Sequence, residues 1–314
     1  MTWLSVSRKE PPARQLRNLL AQGDSYIVPG VFNPLVALAA TRAGFRILYL
    51  SGGAFSASLG LADLGLVTLT ELAEATARIT TVTPLPLIVD ADTGFGEPLN
   101  VARTVHELER AGAAAIQIED QVMPKKCGHL SGKRIIAAEE MIQKIRAAVH
   151  SRRTDLVIIA RTDARATHGL EEAIERARAY IAAGADVIFP EALQSEEEFA
   201  RFAREVPVPL LANMTEFGKT PYISAARFAE LGYQLVLFPV TALRVAMHAI
   251  EAFFATLAEQ GSQVAWLDRM QTRAELYELI HYDAYTRFDQ TLVQSKPTDI
   301  DPQRSSGGTT HDPT

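Results

Sequence analysis

Apolar runs of strand length recur along the chain, at residues 26–29, 47–50, 87–90, 115–118, 156–160, 187–189, 210–212 and 235–238. They are apolar throughout rather than alternating, as strands covered on both faces of a parallel sheet should be. Between them, 68–80, 100–111, 138–149, 170–183 and 195–205 read as amphipathic helices. Gly44, Gly112, Gly184 and Gly232 stand where a left-handed C-terminal cap closes a helix. Eight βα units predict an α/β fold, a closed (β/α)8 TIM-type barrel, over 26–245. An open doubly wound sheet is the runner-up, but no Gly-x-Gly-x-x-Gly element follows an early strand to support its dinucleotide-binding version.

The pattern divides the rest of the chain. Residues 1–25 form a helical or irregular lead-in, and 246–294 hold C-terminal helices. The helical stretches 244–260 and 265–288 are too long to be only the closing helix of a barrel. Their aromatics Phe253, Phe254, Tyr277, Tyr282, Tyr285 and Phe288 suggest a face buried on the molecule's own flank or on a neighbouring subunit. Residues 295–314, rich in serine, threonine, proline and glycine, should be disordered.

With 314 residues, 47% hydrophobic and 22% charged, the chain can bury a sizeable core. The net charge of -6 argues against a nucleic-acid partner, which wants a basic surface. A single cysteine rules out an intramolecular disulfide and fits a reducing compartment, the cytoplasm being the simplest. The N-terminus lacks the apolar stretch of a secretory signal, and the apolar runs fall short of the roughly 20 residues of a membrane helix. No membrane partner is expected.

That cysteine, Cys127, lies in Lys125-Lys126-Cys127-Gly128-His129-Leu130-Ser131-Gly132-Lys133. A thiol among four cations should have a lowered pKa and be reactive. Gly128 and Gly132 should make the loop mobile when empty. His129 has no second histidine at a zinc-like spacing, so it is expected to orient a substrate carboxylate or tune Cys127.

In a (β/α)8 barrel, chemistry collects at the C-terminal ends of the strands. Those positions hold Ser51, Gly52 and Gly53; Asp90 and Asp92; Glu119 and Asp120; Arg161 and Asp163; Glu191; and Asn213 and Thr215, with Arg244 just past the last strand. The four acids Asp90, Asp92, Glu119 and Asp120 would repel one another unless a hard cation such as magnesium held them. Each taken alone could equally cap a helix. Ser51-Gly52-Gly53 suits a carboxylate or phosphate, or is an ordinary turn. Arg161, Arg244 and Arg273 are candidate carboxylate partners.

Assembled, these segments resemble the isocitrate lyase and phosphoenolpyruvate mutase superfamily, most of all its methylisocitrate lyases. The resemblance runs from about Pro29 to about Asp289, through Tyr49-Leu50-Ser51-Gly52-Gly53, Asp90-Ala91-Asp92-Thr93-Gly94, Lys126-Cys127-Gly128-His129 and Asn213-Met214-Thr215. It implies a homotetramer with C-terminal helices swapped between subunits. It also implies Mg2+, or Mn2+ in its place, near Asp90 and Asp92 with Glu119 reaching it partly through water. Substrate binding is implied for Ser51, Gly52, Gly53, Cys127, Gly128, Arg161, Glu191, Asn213, Thr215, Arg244 and Arg273. The activity implied is cleavage of 2-methylisocitrate to pyruvate and succinate, with Cys127 protonating the succinate carbanion. Arg161, Arg244, His129 and Lys125 would face that carbanion, and Tyr49 is a candidate base or else packs in the core beneath the Ser51 turn. Phe189 and Leu237 resemble the methylisocitrate type, whereas the loop His129-Leu130-Ser131-Gly132-Lys133 is closer to lyases of 2,3-dimethylmalate. Isocitrate or another 2-hydroxydicarboxylate remains an alternative substrate, and phosphonomutase or oxaloacetate decarboxylase chemistry a more distant one.

Overall fold

The computed structural model describes Val6 and residues 8–294. The expected tail at 295–314 and most of the extreme N-terminus lie outside the described residues. The chain begins with α1 (Pro12–Ala21), β1 (Tyr26–Val31), α2 (Pro34–Arg42), β2 (Leu48–Leu50), α3 (Gly52–Ser58) and α4 (Leu69–Val82). There follow β3 (Leu87–Asp90), α5 (Pro98–Arg110), β4 (Ala115–Glu119), α6 (Ala138–Ser151), β5 (Val157–Thr162), α7 (Ala164–Thr167) and α8 (Leu170–Ala182). Then come β6 (Val187–Pro190), α9 (Glu196–Glu205), β7 (Leu211–Asn213), α10 (Ala225–Glu230), β8 (Leu235–Phe238), α11 (Thr241–Gln260), α12 (Arg273–Leu279) and α13 (Tyr282–Gln294).

The strands run in the order β6-β5-β4-β3-β2-β1-β8-β7, and every pairing is parallel. A bridge between Ile188 and Leu210 brings the two edge strands together. The barrel is thereby nearly closed, as expected, and the open sheet is excluded. Both faces of each strand are covered, which is why the strands lack polar alternation. One set of side chains, including Leu48, Val89, Ile116, Ile158 and Val236, packs outward in a core shared with the surrounding helices. The alternate set, including Val28, Ile88, Ile159, Leu211 and Leu235, fills the barrel.

Helix α1 seals the end where the strands begin. Its Leu16, Leu19 and Leu20 belong to the interior cluster. Arg17 donates to the Asp155 and Leu156 carbonyls and makes a fork to the Asp186 carboxylate, 3.0 Å on each prong, just ahead of β5 and β6.

Two compact units divide at Arg269 and Met270. The expected domain boundary at 245/246 falls within α11, which crosses it without a break. This helix is 20 residues long, with mean hydropathy 1.2 in its most apolar window. By length and composition alone it could cross a membrane, so the expectation that every apolar run is strand-length is corrected. It leaves Val245, Met247, Ile250 and Phe254 exposed. The continuous helix expected over 265–288 is also corrected. A 3-10 turn covers Val264–Arg269, Thr272 caps α12 through a reciprocal hydrogen-bonded pair with Glu275, and His281 takes φ 57° between α12 and α13. A left-handed residue cannot sit inside a right-handed helix.

Leu16→Ala should lower unfolding free energy by about 2–5 kcal/mol, the cost of a cavity at a fully buried leucine. Chemical denaturation checks this, and a loss below about 1 kcal/mol would mean that α1 is not part of the core.

Candidate active site

At the opposite end of the barrel, the loops after the strands enclose a small cavity. Tyr49, Ser51, Gly53, Asp90, Lys125, Cys127, Gly128, His129, Arg161, Glu191, Asn213 and Thr215 all line it, with Phe189 and Leu237 as its apolar wall. Its free space is only about 60 Å³, well below the range of about 300–1,000 Å³ usual for small-molecule sites. A larger groove of about 590 Å³, lined by Val206, Pro207 and Leu231 with Arg204, Glu230 and Gln234, gathers no comparable set of polar groups.

Arg161, at the end of β5, organises the floor. Its Nη1 lies 3.2 Å from Glu119, its Nε 3.0 Å from Asp163 and its Nη2 3.2 Å from Glu191, with the guanidinium over the Phe189 ring. Burial works against its charge, but these three carboxylates outweigh it and hold the guanidinium strongly basic. Glu191 is held at about 2: burial would raise it, and the charge of Arg161 is foremost among what overcomes that. Asn213 points its amide at both Glu191 oxygens, 3.3 Å away, while its own oxygen accepts from the Thr215 N–H.

Lys125 bridges Asp63 and Asp92, the latter at 2.7 Å. Asp63, in the loop after α3, was not among the expected site residues. The one signal available was an acid in a loop that follows a barrel strand. Lys125 and Arg161 thus already face the acids expected to need a metal, so the argument from unpaired repulsion is corrected. Asp120 leaves the acidic group altogether. It is fully buried and accepts from Thr162 Oγ1, the Asp163 N–H, Tyr180 Oη and Arg176, which ties β4 to β5 and α8.

Among the described residues, no group of three or more His, Cys, Asp or Glu is gathered closely enough to hold a metal ion directly. The chemistry of the donors nevertheless suits a hard cation. Asp63, Asp90, Asp92, Glu119, Asp163 and Glu191 are six carboxylates, against Lys125, Lys133 and Arg161 paired into them. Asp92 Oδ1 and Glu119 Oε1 are buried without a hydrogen bond, although Lys125 is near the first. Burial raises Asp92 to about 6 and Glu119 well above the carboxylate range, which is the signature of negative charge short of compensation. Asp92 also holds a left-handed backbone, φ 47°, and its N–H donates to Asp90 Oδ1.

The cysteine loop is an excursion pinned at its base. Gln121 pairs with Ile135, the Val122 N–H donates to Arg134, and the Gln121 side chain grips both the N–H and the carbonyl of Lys126. Lys133 turns inward to the Gly128 carbonyl and to Asp163, 2.5 Å away. A Cβ on Gly128 would lie 2.3 Å from Glu191 Cγ and 2.5 Å from Arg161 Nη2, so only glycine lets the loop press onto the floor.

Four sequence-based expectations change. The Cys127 thiol is shifted up rather than down: the residue is exposed, but desolvation by the loop and floor packed around it raises its pKa, Glu191 and Asp63 add to this, and the His129 N–H and Arg161 oppose it. Lys125 and Lys133, which the sequence offered as activating charges, are paired with carboxylates instead. The Tyr49 hydroxyl donates to Gln117 at 2.6 Å, and burial with Asp90 raises its pKa well above the phenol range, the opposite of the lowering that a base requires. In the Ser51-Gly52-Gly53 turn, Ser51 caps α3 and the Gly52 N–H is given to Asp90, which leaves the Gly53 amide. Arg244 turns to Glu216, 2.6 Å away, and lies over the Phe217 ring rather than lining the cavity. Arg273 opens α12 in the C-terminal unit.

A model of the phosphoenolpyruvate phosphomutase family matches residues 16–258. The chain belongs to this family. It is 58% identical over 289 residues to the 2-methylisocitrate lyase of Aeropyrum pernix, covering 92% of this chain and 94% of that one. Against the 2-methylisocitrate lyase of Bacillus subtilis it is 50% identical, with 94% and 98% covered. A crystal structure of 2,3-dimethylmalate lyase, described as a member of the PEP mutase/isocitrate lyase superfamily, superposes with a TM-score of 0.86 at 40% identity, covering 93% and 98%.

Because the thiol's pKa is raised, Cys127 should alkylate more slowly with iodoacetamide at neutral pH than a free cysteine does. The rate should climb only as pH passes above the ordinary thiol range. Fast labelling at neutral pH would show that the lysines do activate it.

Proposed function

We propose that the protein is a magnesium-dependent carbon–carbon lyase that cleaves 2-methylisocitrate to pyruvate and succinate, with manganese able to replace magnesium. The observation that carries this reading is a thiol at the mouth of a cavity whose floor joins buried cations to orphaned carboxylate oxygens. The relatives named 2-methylisocitrate lyase support the substrate.

Asp90, Asp92 and Glu119 would hold the metal, which when bound supplies Lewis-acid polarisation of a substrate hydroxyl and its neighbouring carboxylate. The chain's own groups do the rest. Lys125 and Arg161, both firmly protonated, offset the negative charge that builds as the bond breaks. Asn213, Thr215 and the Gly53 amide orient carboxylates, and His129 faces the departing fragment. The Cys127 S–H bond breaks as a C–H bond forms on the carbanion, and the thiolate then regains a proton from water. A raised thiol pKa suits this role, since the acid must still carry its proton when the carbanion appears. The cavity is too small for a tricarboxylate, so the 121–136 loop must withdraw for substrate to enter.

A second reading, cleavage of 2,3-dimethylmalate, is favoured by the His129-Leu130-Ser131-Gly132 loop and by the superposing dimethylmalate lyase. Turnover on methylisocitrate, isocitrate and dimethylmalate side by side separates the substrates. Methylisocitrate should lead isocitrate by about 10–200-fold in kcat/KM, the reach of one methyl group against Phe189 and Leu237. Dimethylmalate in first place would overturn the substrate assignment. In the same assay Cys127→Ser should lose about 10²–10⁴-fold in kcat, and near-normal turnover would remove the thiol from the mechanism.

We also propose a cytoplasmic homotetramer. The exposed apolar residues of α11 support its burial against another copy. Sedimentation should give four times the chain mass, and a monomer would refute it.

A further inference from the structure

His129 is tied to a second loop. Its Nδ1 lies 2.9 Å from the backbone N–H of Lys219, which donates to it. Gly218 makes that approach possible: a Cβ there would stand 2.5 Å from Nδ1 and 2.9 Å from both Cγ and Cε1 of the imidazole. The other ring nitrogen, Nε2, is buried without an aligned hydrogen bond, 3.0 Å from Glu191 Oε1, and the residue lines the cavity.

We propose that Gly218 and the Lys219 N–H are positioning residues that fix His129 as the neutral tautomer protonated on Nε2, with that N–H beside Glu191 Oε1 at the cavity wall. A backbone N–H can only donate, so the nitrogen it faces must keep its lone pair, and the single ring proton goes to the other nitrogen. His129 then serves the site as a hydrogen-bond donor and not as a cation. The same contact couples two elements distant in sequence. The cysteine loop, through His129, and the loop after β7, which begins with Asn213 and Thr215, are set in one register. Thiol and carboxylate-orienting groups therefore take up their places together.

The catalytic consequence rests on the lyase reading, whereas the tautomer does not, so two measurements keep them apart. In the full-length chain labelled with ¹⁵N-histidine, two-bond ¹H–¹⁵N correlations near neutral pH should show His129 protonated on Nε2 alone. A His129→Ala variant assigns the signal. Protonation on Nδ1, or on both nitrogens, would overturn the proposal whatever the substrate is.

In turnover, Gly218→Ala should lower kcat by about 10–100-fold, the penalty for displacing a substrate-facing group by a fraction of its contact distance. Its circular dichroism should match the parent. The same substitution in the His129→Ala background should cost less than about twofold, since there is no ring left to displace. An equal loss in both backgrounds would show that Gly218 acts on the fold and not through His129. Absence of turnover by the parent on every substrate offered would sink the lyase reading and leave the tautomer to be decided by resonance alone.

Discussion

Everything at the open end of the barrel is arranged around one buried guanidinium. Arg161 holds Glu119 from β4, Asp163 from the turn after β5 and Glu191 from the turn after β6. Burying an ion costs several kcal/mol unless its partners stay in place, so the three strand ends are committed to one relative geometry. Asp163 passes the constraint outward by accepting Lys133, and Lys133 in turn holds the Gly128 carbonyl. The cysteine loop is therefore ordered by the same charge balance that orders the floor.

Behind this layer, Asp120 performs a comparable task with no access to solvent. Its hydrogen bonds to Thr162, Tyr180 and Arg176 lock the end of β4 against β5 and α8. Two consecutive acids, Glu119 and Asp120, thus face opposite ways and do different work, as the alternation of side chains along a strand requires.

The eight strands were legible because burial on both faces leaves an unmistakable apolar run, and most of the cavity wall was legible because barrel strands deliver their C-terminal residues to one rim. What the sequence concealed was pairing. The lysines flanking Cys127 read as free charge, yet Lys125 is neutralised by Asp63, 62 positions away, and Lys133 by Asp163, 30 positions away. Local context predicted an activated thiol, and tertiary context reversed it. Arg244 misled for the same reason, since Glu216 captures it from another loop. The C-terminal helices were located but not divided, because a single left-handed residue such as His281 leaves no trace in hydrophobic periodicity.

The seal made by α1 has a bearing on traffic through the molecule. Leu16, Leu19 and Leu20 stop up the far end, and among the described residues the cavity lies at the end that carries the thiol. Any reaction that splits one molecule into two must then discharge both fragments past the same threshold. A fragment lodged beneath another would have to wait for its sibling, so depth in the barrel would set the order of departure.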